Sequence, residues 1–464
     1  MNIATRTEHD SLGPIAVPDE ALWGAQTARS LQYFAIGEQR MPLPLVHAMA
    51  LVKWAAAGVN TDLGLLPPAM GKAIADAAWR VAQGEFDAEF PLSVWQTGSG
   101  TQSHMNVNEV VATLANQALA RSGPGQPTVS PHDHVNLGQS SNDVFPAAMH
   151  IAVALQARKA LMPALYALRE ALAAKGRAWA GVVKTGRTHL QDATPVTLGQ
   201  EFGGYAAQLD LCWASLLQAL VGVNALAIGG TAVGTGLNTH PQFGARVAAT
   251  LAQRLDLPLH QADNLFAAMA GHEALVALHS ALKMLAVALT KIANDIRLMG
   301  SGPRAGLGEL QLPENEPGSS IMPGKVNPTQ VEALCMVCAQ VMGHDVAITF
   351  AASLGQFELN VYKPLMALNT LDSLHLLADA MRSFAQHCVS GLTVNAARVD
   401  ELLHRSLMLV TALTPHIGYA GAAAVAQHAQ ASGSTLREAA LALGAVSAQQ
   451  FDAWVQPQQM LGPS

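Results

Sequence analysis

The sequence predicts a mainly α fold, a three-part chain built around a long central helical bundle. Three observations predict it. Half of the 464 residues are hydrophobic, yet only 5% are aromatic, so the apolar excess is Ala, Leu and Val, suited to closely packed helices. Leu275, Leu278, Leu282, Leu285, Leu289, Ile292 and Ile296 recur at spacings of three and four, a heptad seam that needs a lengthwise helical partner. No alternating strand run of comparable length appears. Composition excludes a disordered or collagen-like chain, because only 13% of residues are charged and Gly (39) and Pro (24) show no short period.

From the N-terminus, Met1–Asp10 has no apolar leader run and is not Arg-rich, which points to a cytoplasmic protein. Arg121 to Pro127 is a Gly/Pro loop. Ser141 to Ala180 reads as helix, with a face of Leu161, Leu165, Leu168 and Leu172 and a kink near Pro163. Gln200 to Ala227 is mainly helix, Gly229–Gly236 a glycine-rich loop, and Leu275–Ile296 the seam helix. A loop from Gly300 to Gly324 is long for a compact domain, and long ordered loops are usually functional. Val331–Ile348 and Leu365–Cys388 read as helix. Shorter patterns follow Val394, broken at Gly433-Ser434. The expected division is an N-terminal part (1–139), a central bundle (140–393) and a small C-terminal part (394–464).

A mean hydropathy of +0.23 raises two possibilities, insertion in a membrane or apolar surface buried between subunits. Polar residues interrupt both candidate spans. Gln218, Asn224, Asn238 and His240 fall in 211–245, and Glu273, His279 and Lys283 fall in the seam helix, so no spanning segment is expected. The formal charge of −7 with no basic cluster gives no support for nucleic-acid binding. Four cysteines make no disulfide framework, and Cys335-x-x-Cys338 reads as helix interior. There is no H-E-x-x-H or Cys/His quartet. His132-Asp133-His134 is a weak metal pair, and no cofactor is expected.

Polar chemistry concentrates in four segments, Thr97–Glu109, Gln139–Asp143, Gly186–Asp192 and Gly318–Glu332. Hydroxyls and amides at helix starts, beside free backbone N–H groups, bind carboxylates, and two such sites suit a dicarboxylate. Lys325 can neutralise developing charge, and His189 with Glu332 can form a proton-transfer pair. Each also has an ordinary explanation. Ser-Ser-Asn before a helix serves as an N-cap, a lone His is commonly structural, and a loop Lys is commonly solvated.

Together, however, Gly318-Ser319-Ser320-Ile321-Met322-Pro323-Gly324-Lys325-Val326-Asn327-Pro328 resembles the signature of the fumarase/aspartase superfamily. The order of the four segments is similar to class II fumarate hydratases, the fumarase C type. Leu22–Thr27, Gly230–His240 and Ser406–Leu413 extend the likeness over essentially the whole chain. His189 in Gly-Arg-Thr-His-Leu-Gln-Asp favours hydration, since aspartases typically carry Gln there.

The resemblance implies a metal-independent lyase, a hydro-lyase that interconverts fumarate and L-malate in the tricarboxylic acid cycle. It implies a homotetramer with a 20-helix core and active sites shared between subunits. It makes Ser319 the base, His189 (oriented by Glu332) the proton donor or acceptor at the C2 oxygen, and Lys325 and Asn327 the stabilisers of the intermediate. Ser99, Gly100, Thr101, Ser140, Ser141, Asn142, Thr188 and Ser320 would bind substrate. The chain departs from the pattern at His104, where the family usually has Asn. It departs again around a peripheral anion site, here Ser130, His132 and Asp133, with Pro127, His134 and Leu137 where Arg, Asp and Lys are usual. Three alternatives stand beside this reading. They are a related dicarboxylate lyase such as aspartase, a non-catalytic helical oligomer, and a metal or redox protein using Cys335/Cys338 or His132/His134.

Overall fold

The computed structural model describes residues 4–125 and 127–463. Met1–Ile3, Gln126 and Ser464 lie outside it, so the readings of the first ten residues and of the 121–127 loop are covered only in part.

In chain order the hairpin β1 (Thr5–Asp10) and β2 (Gly13–Pro18) leads into α1 (Ala25–Tyr33), α2 (Leu43–Asp62), α3 (Pro68–Ala82), α4 (Thr101–Arg121) and α5 (Ser141–Gln156). Next come α6 (Met162–Ala178), the hairpin β3 (Val183–Thr188) and β4 (Gln191–Thr197), α7 (Leu198–Val223), α8 (Phe243–Leu255) and α9 (Leu265–Ala270). The long helices α10 (Glu273–Met299), α11 (Thr329–Ala352) and α12 (Lys363–His387) precede the short α13 (Ala396–Arg405), α14 (Thr414–Ser432), α15 (Leu436–Ala442) and α16 (Ala448–Trp454). The fold is mainly α, as the sequence predicts, and the long helices match the periodic segments to within a few residues. The strands come in separate two-stranded pairs. β1 and β2 do alternate in burial, but β1 is too polar, and β2 too short and too rich in Gly and Pro, to stand out in a periodicity search.

The chain divides into two compact units, one of residues 1–163, 213–286 and 337–378, the other of residues 164–212, 287–336 and 379–464. In the first, α2 packs on α3, α5, α8 and α4. Its alanines and valines at 46, 48, 50, 52, 55, 56, 57 and 59 are all buried, which explains how a chain poor in aromatics builds a core: small side chains let helix axes approach. Pro42 and Pro44 open α2, where a missing N–H costs nothing. In the second, the C-terminal helices have their own apolar cluster around Leu413, Val425, Leu436 and Phe451. Gly433 ends α14 in the left-handed conformation, with φ +67°.

Every residue of the Leu275–Ile296 seam is fully buried, each such side chain contributing about 1.5–3 kcal/mol. The helical turn before Pro163 is resolved by a π-helical stretch, Ala157–Leu161, that hands over directly to α6. A π-bulge of this kind absorbs the missing proline hydrogen bond. Cys335 and Cys338 lie in the interior of α11, and all four cysteines are free. Five helical stretches, including α7, α10 and α11, are long and apolar enough to cross a membrane by length and composition. They nevertheless carry buried or paired charges such as Asp345, Asp295 and Asp210.

Candidate active site

In the first unit, α4 and α5 begin side by side. Gly100, the N-cap of α4, has φ +78°, and a Cβ there would meet the Phe145 ring at 2.2 Å, so only glycine allows this approach. The Ser99 Oγ lies 2.9 Å from Thr101 Oγ1, which lies 2.7 Å from Ser141 Oγ. Three hydroxyls from the two helix starts therefore form one chain. Ser140 caps α5 and accepts from the Asn142 N–H at 3.2 Å. Asp143 completes the capping box through the Ser140 N–H at 2.9 Å. Its other oxygen accepts from the N–H groups of Gly229 and Thr231 at 2.9 and 3.0 Å, which ties the glycine-rich loop to α5. The Asn142 amide donates to the Ala232 carbonyl at 2.8 Å. Two positive helix ends plus rotatable hydroxyls are chemically suited to receive a carboxylate.

In the second unit, His189 and Leu190 form the two-residue loop of the β3–β4 hairpin, with Thr188 paired to Gln191. Both have positive φ, 55° and 59°, as a type I′ hairpin turn demands. Without glycine this costs about 1–2 kcal/mol per residue, strain held at the residue that carries the imidazole. The root of the hairpin is anchored by buried charge. Arg187 donates twice to Glu309, at 3.0 and 2.9 Å. Lys184 contacts Glu201 at 2.9 Å and Glu309 at 3.3 Å. Glu309 is fully buried, and burial pushes the Glu201 carboxyl above its ordinary range.

The long loop supplies the other group of residues. Its neck is pinched where the Asn327 amide donates to the Gly318 carbonyl. A Cβ on Gly318 would lie 2.0 Å from the Lys325 carbonyl oxygen. Ser319 Oγ accepts from the N–H groups of Ile321 and Met322 at 3.3 and 3.0 Å. Two donors aimed at one oxygen favour its ionised form. Ser320 and Lys325 are exposed on the loop, and Glu332 is exposed in the first turn of α11. Thr188 and His189 are exposed as well. Among the described residues no hydrogen bond joins His189 to Glu332.

Ser130, His132 and Asp133 lie at a π-helical turn, Pro131–Val135, where local bonds occupy much of their polarity. Ser130 Oγ donates to Asp133 at 2.9 Å, His134 Nδ1 accepts the Ser130 N–H at 2.8 Å, and His132 contacts Gln26 at 3.1 Å. Among the described residues no group of three or more His, Cys, Asp or Glu is arranged to hold a metal ion.

Two features were not found by sequence reasoning. One is the Lys184–Arg187–Glu309–Glu201 anchor, whose signal is diffuse because its acids lie far along the chain. The other is Lys53, a lone cation inside apolar α2, which contacts His104, Asn136 and Gln139.

Comparison with known proteins places the chain in a family. The model of a family described as "Lyase" matches residues 13–343, and that of "Fumarase C C-terminus" matches residues 409–462. The chain is 61% identical to a class II fumarate hydratase of Chromobacterium violaceum, over 99% of this chain and 100% of that protein. It is 57% identical to one from Thermosynechococcus vestitus, over 100% and 99%. Among solved structures, a class II fumarase from Schistosoma mansoni superposes with a TM-score of 0.96 at 46% identity, covering 98% of this chain and 99% of that one.

Proposed function

The chain belongs to the class II fumarate hydratases within the lyase family, and from that premise we propose how its residues carry out the reaction. The reaction is the reversible addition of water to fumarate to give L-malate. The observation that carries the residue assignment is the Ser319 oxygen under two backbone donors, with the His189 imidazole held on a separate, strained hairpin tip.

In the malate-to-fumarate direction, Ser319 as alkoxide removes the proton from C3. The electron pair moves into the adjacent carboxylate and gives a dianionic aci-carboxylate. Lys325 and Asn327 stabilise that charge, an effect of about 3–4 kcal/mol per donor. Ser320 adds a further donor. The carbon–oxygen bond at C2 then breaks. His189, oriented by Glu332, delivers a proton to the departing hydroxide, which leaves as water. The carboxylates rest on Ser99, Gly100, Thr101, Ser140, Ser141 and Asn142, with Thr188 beside the imidazole. Trans elimination needs base and acid on opposite faces of the substrate, which two separate segments can supply. The same steps reversed add water to fumarate. This assignment favours hydration over deamination of aspartate, the runner-up, because His189 supplies the proton a leaving hydroxide needs.

The assembly proposed is a homotetramer whose active sites combine segments from different copies, acting in the cytoplasm as part of the tricarboxylic acid cycle. Exposed apolar side chains on α7 (Leu211, Leu217, Val221) and α11 (Met336, Val346, Phe350) support it. So does the exposure of His189, Lys325 and Glu332 in the single chain. Subunit contact is favoured over lipid because exposed charges, among them Asp210 and Lys291, share those long helices.

Hydration of fumarate in D2O, followed by proton NMR, tests the mechanism. The outcome expected is a single C3-deuterated malate from trans addition. A mixture of the two C3 epimers, or the cis product, contradicts a base and an acid on opposite faces.

A further inference from the structure

Lys53 is a fully buried cation of the first unit. It sits in the middle of α2, is 0% exposed, and its only neighbours along the helix are apolar. Its Nζ has three hydrogen-bond partners: His104 Nε2 at 2.7 Å, Asn136 Oδ1 at 3.0 Å and Gln139 Oε1 at 2.9 Å. An ammonium has three N–H donors and no acceptor. The set is therefore satisfied when Lys53 is charged and His104 is neutral with Nε2 bare. The partners are themselves fixed. The Asn136 amide donates to the Gln139 carbonyl at 3.2 Å, and the Gln139 amide to the carbonyls of Val135 and Leu137, each at 3.2 Å. His104 lies one turn beyond Thr101 in α4, and Gln139 immediately precedes Ser140, the cap of α5. One ammonium thus ties together the roots of both helix starts whose hydroxyls meet through Thr101 and Ser141.

We infer that Lys53 is a positioning residue for dicarboxylate binding, and that its proton, shared with His104, couples substrate affinity to pH. The inference rests on the hydratase reading above. Among the described residues Lys53 forms no ion pair. The charged and titratable groups acting on it are His104 from α4 and Asp143 from α5, and His104 in turn faces His132 from the π-turn. Asp143 attracts it only at a distance, its oxygens being taken up by the N–H groups of Ser140, Gly229 and Thr231. A substrate carboxylate at the head of α5 adds negative charge on the open side and favours the ammonium. By reciprocity the ammonium favours the substrate. Burial lowers the Lys53 pKa to about 7 and holds His104 well below the ordinary imidazole range, so the free enzyme loses this proton within the working pH range. After loss, the neutral amine still donates to Asn136 and Gln139 and accepts an Nε2–H from His104, so the contacts persist but the positive charge beneath the two helix starts is gone.

The experiment is steady-state kinetics with fumarate and with L-malate from pH 6 to 9, on wild type, Lys53→Met and His104→Asn. Both substrate carboxyl groups stay ionised over that range. Wild-type KM is expected to rise by about threefold or more from pH 6.5 to 8.5. In Lys53→Met, KM is expected to be raised at low pH and flat with pH, with kcat within about twofold of wild type, a split that a general loss of packing does not produce. His104→Asn keeps an oxygen acceptor for Nζ and makes room for water, so its KM rise is expected at higher pH than in wild type. A flat wild-type KM, or a Lys53→Met enzyme with the wild-type pH dependence, overturns the inference. If Lys53→Met does not fold, an unmoved KM profile in His104→Asn overturns it. Wild type that turns over neither substrate refutes the hydratase reading, and this inference falls with it.

Discussion

The oxygen of Ser319 accepts two backbone N–H bonds, and those donors are what would let a serine serve as a base. Replacing Ser319 by Ala removes the oxygen without touching the loop neck formed by Gly318 and Asn327. Turnover should fall by about 10²–10⁴-fold or more, with unchanged far-UV circular dichroism. Near-wild-type kcat would mean that another group takes the C3 proton. At this scale the sequence was informative where chemistry is local. Ser319, Lys325 and Asn327 sit in one segment, as do Ser99, Gly100 and Thr101. Lys53 was not legible, because its three partners lie 51, 83 and 86 positions away, and a single lysine in an apolar helix carries no pattern until the helices are packed.

Among the elements, the β3–β4 hairpin shows how structure places a side chain that sequence alone could only name. Its turn is His189-Leu190, without the Asn-Gly pair that marks such hairpins, so the strands were not read, although the Gly-Arg-Thr-His segment was singled out. The left-handed backbone at both turn residues needs a rigid root, and Glu309 supplies it through Arg187 and Lys184. Glu309→Gln leaves Arg187 facing a neutral amide and Lys184 with Glu201 as its one carboxylate. The expected cost is about 3–5 kcal/mol of stability, and displacement of His189 should lower kcat by about 10²-fold. Thermal melting and kinetics with L-malate measure both effects. A stable, fully active Glu309→Gln enzyme would show that the anchor does not orient the imidazole. The Leu275–Ile296 seam was the opposite case. Seven apolar residues at alternating spacings of three and four specify a buried helix face before any partner is known, and all seven side chains are buried.

For the whole molecule, the first unit holds an unusual number of basic groups in uncharged surroundings, with consequences for stability. Burial lowers His104, His150, His272, His279 and His344, and lowers Lys53 and Lys363 to about 7. Between about pH 7 and 10 the unfolded chain keeps two lysine protons that the folded chain gives up. Below about pH 6.5 it also takes up histidine protons that the folded chain refuses. Stability therefore rises with pH from 5 to 9, by at most about 1.4 kcal/mol per pH unit for each such group. Asp143, raised to about 6, opposes this only between its unfolded value and pH 6. Above pH 9 the buried thiols Cys212 and Cys388, raised to about 11 and about 12, oppose the lysines and level the trend off. Calorimetry should find the melting temperature climbing from pH 6 to 9, whereas a maximum near pH 6 would contradict these burial effects. The apolar, aromatic-poor composition was legible as a helical bundle with surface left to cover. Which surface remains uncovered, on α7 and α11, became apparent only in three dimensions. All of these scales depend on one reaction. Purified protein given L-malate should produce fumarate, seen as rising ultraviolet absorbance, and should leave L-aspartate untouched. Fumarate and ammonia from L-aspartate, with L-malate inert, would contradict the account.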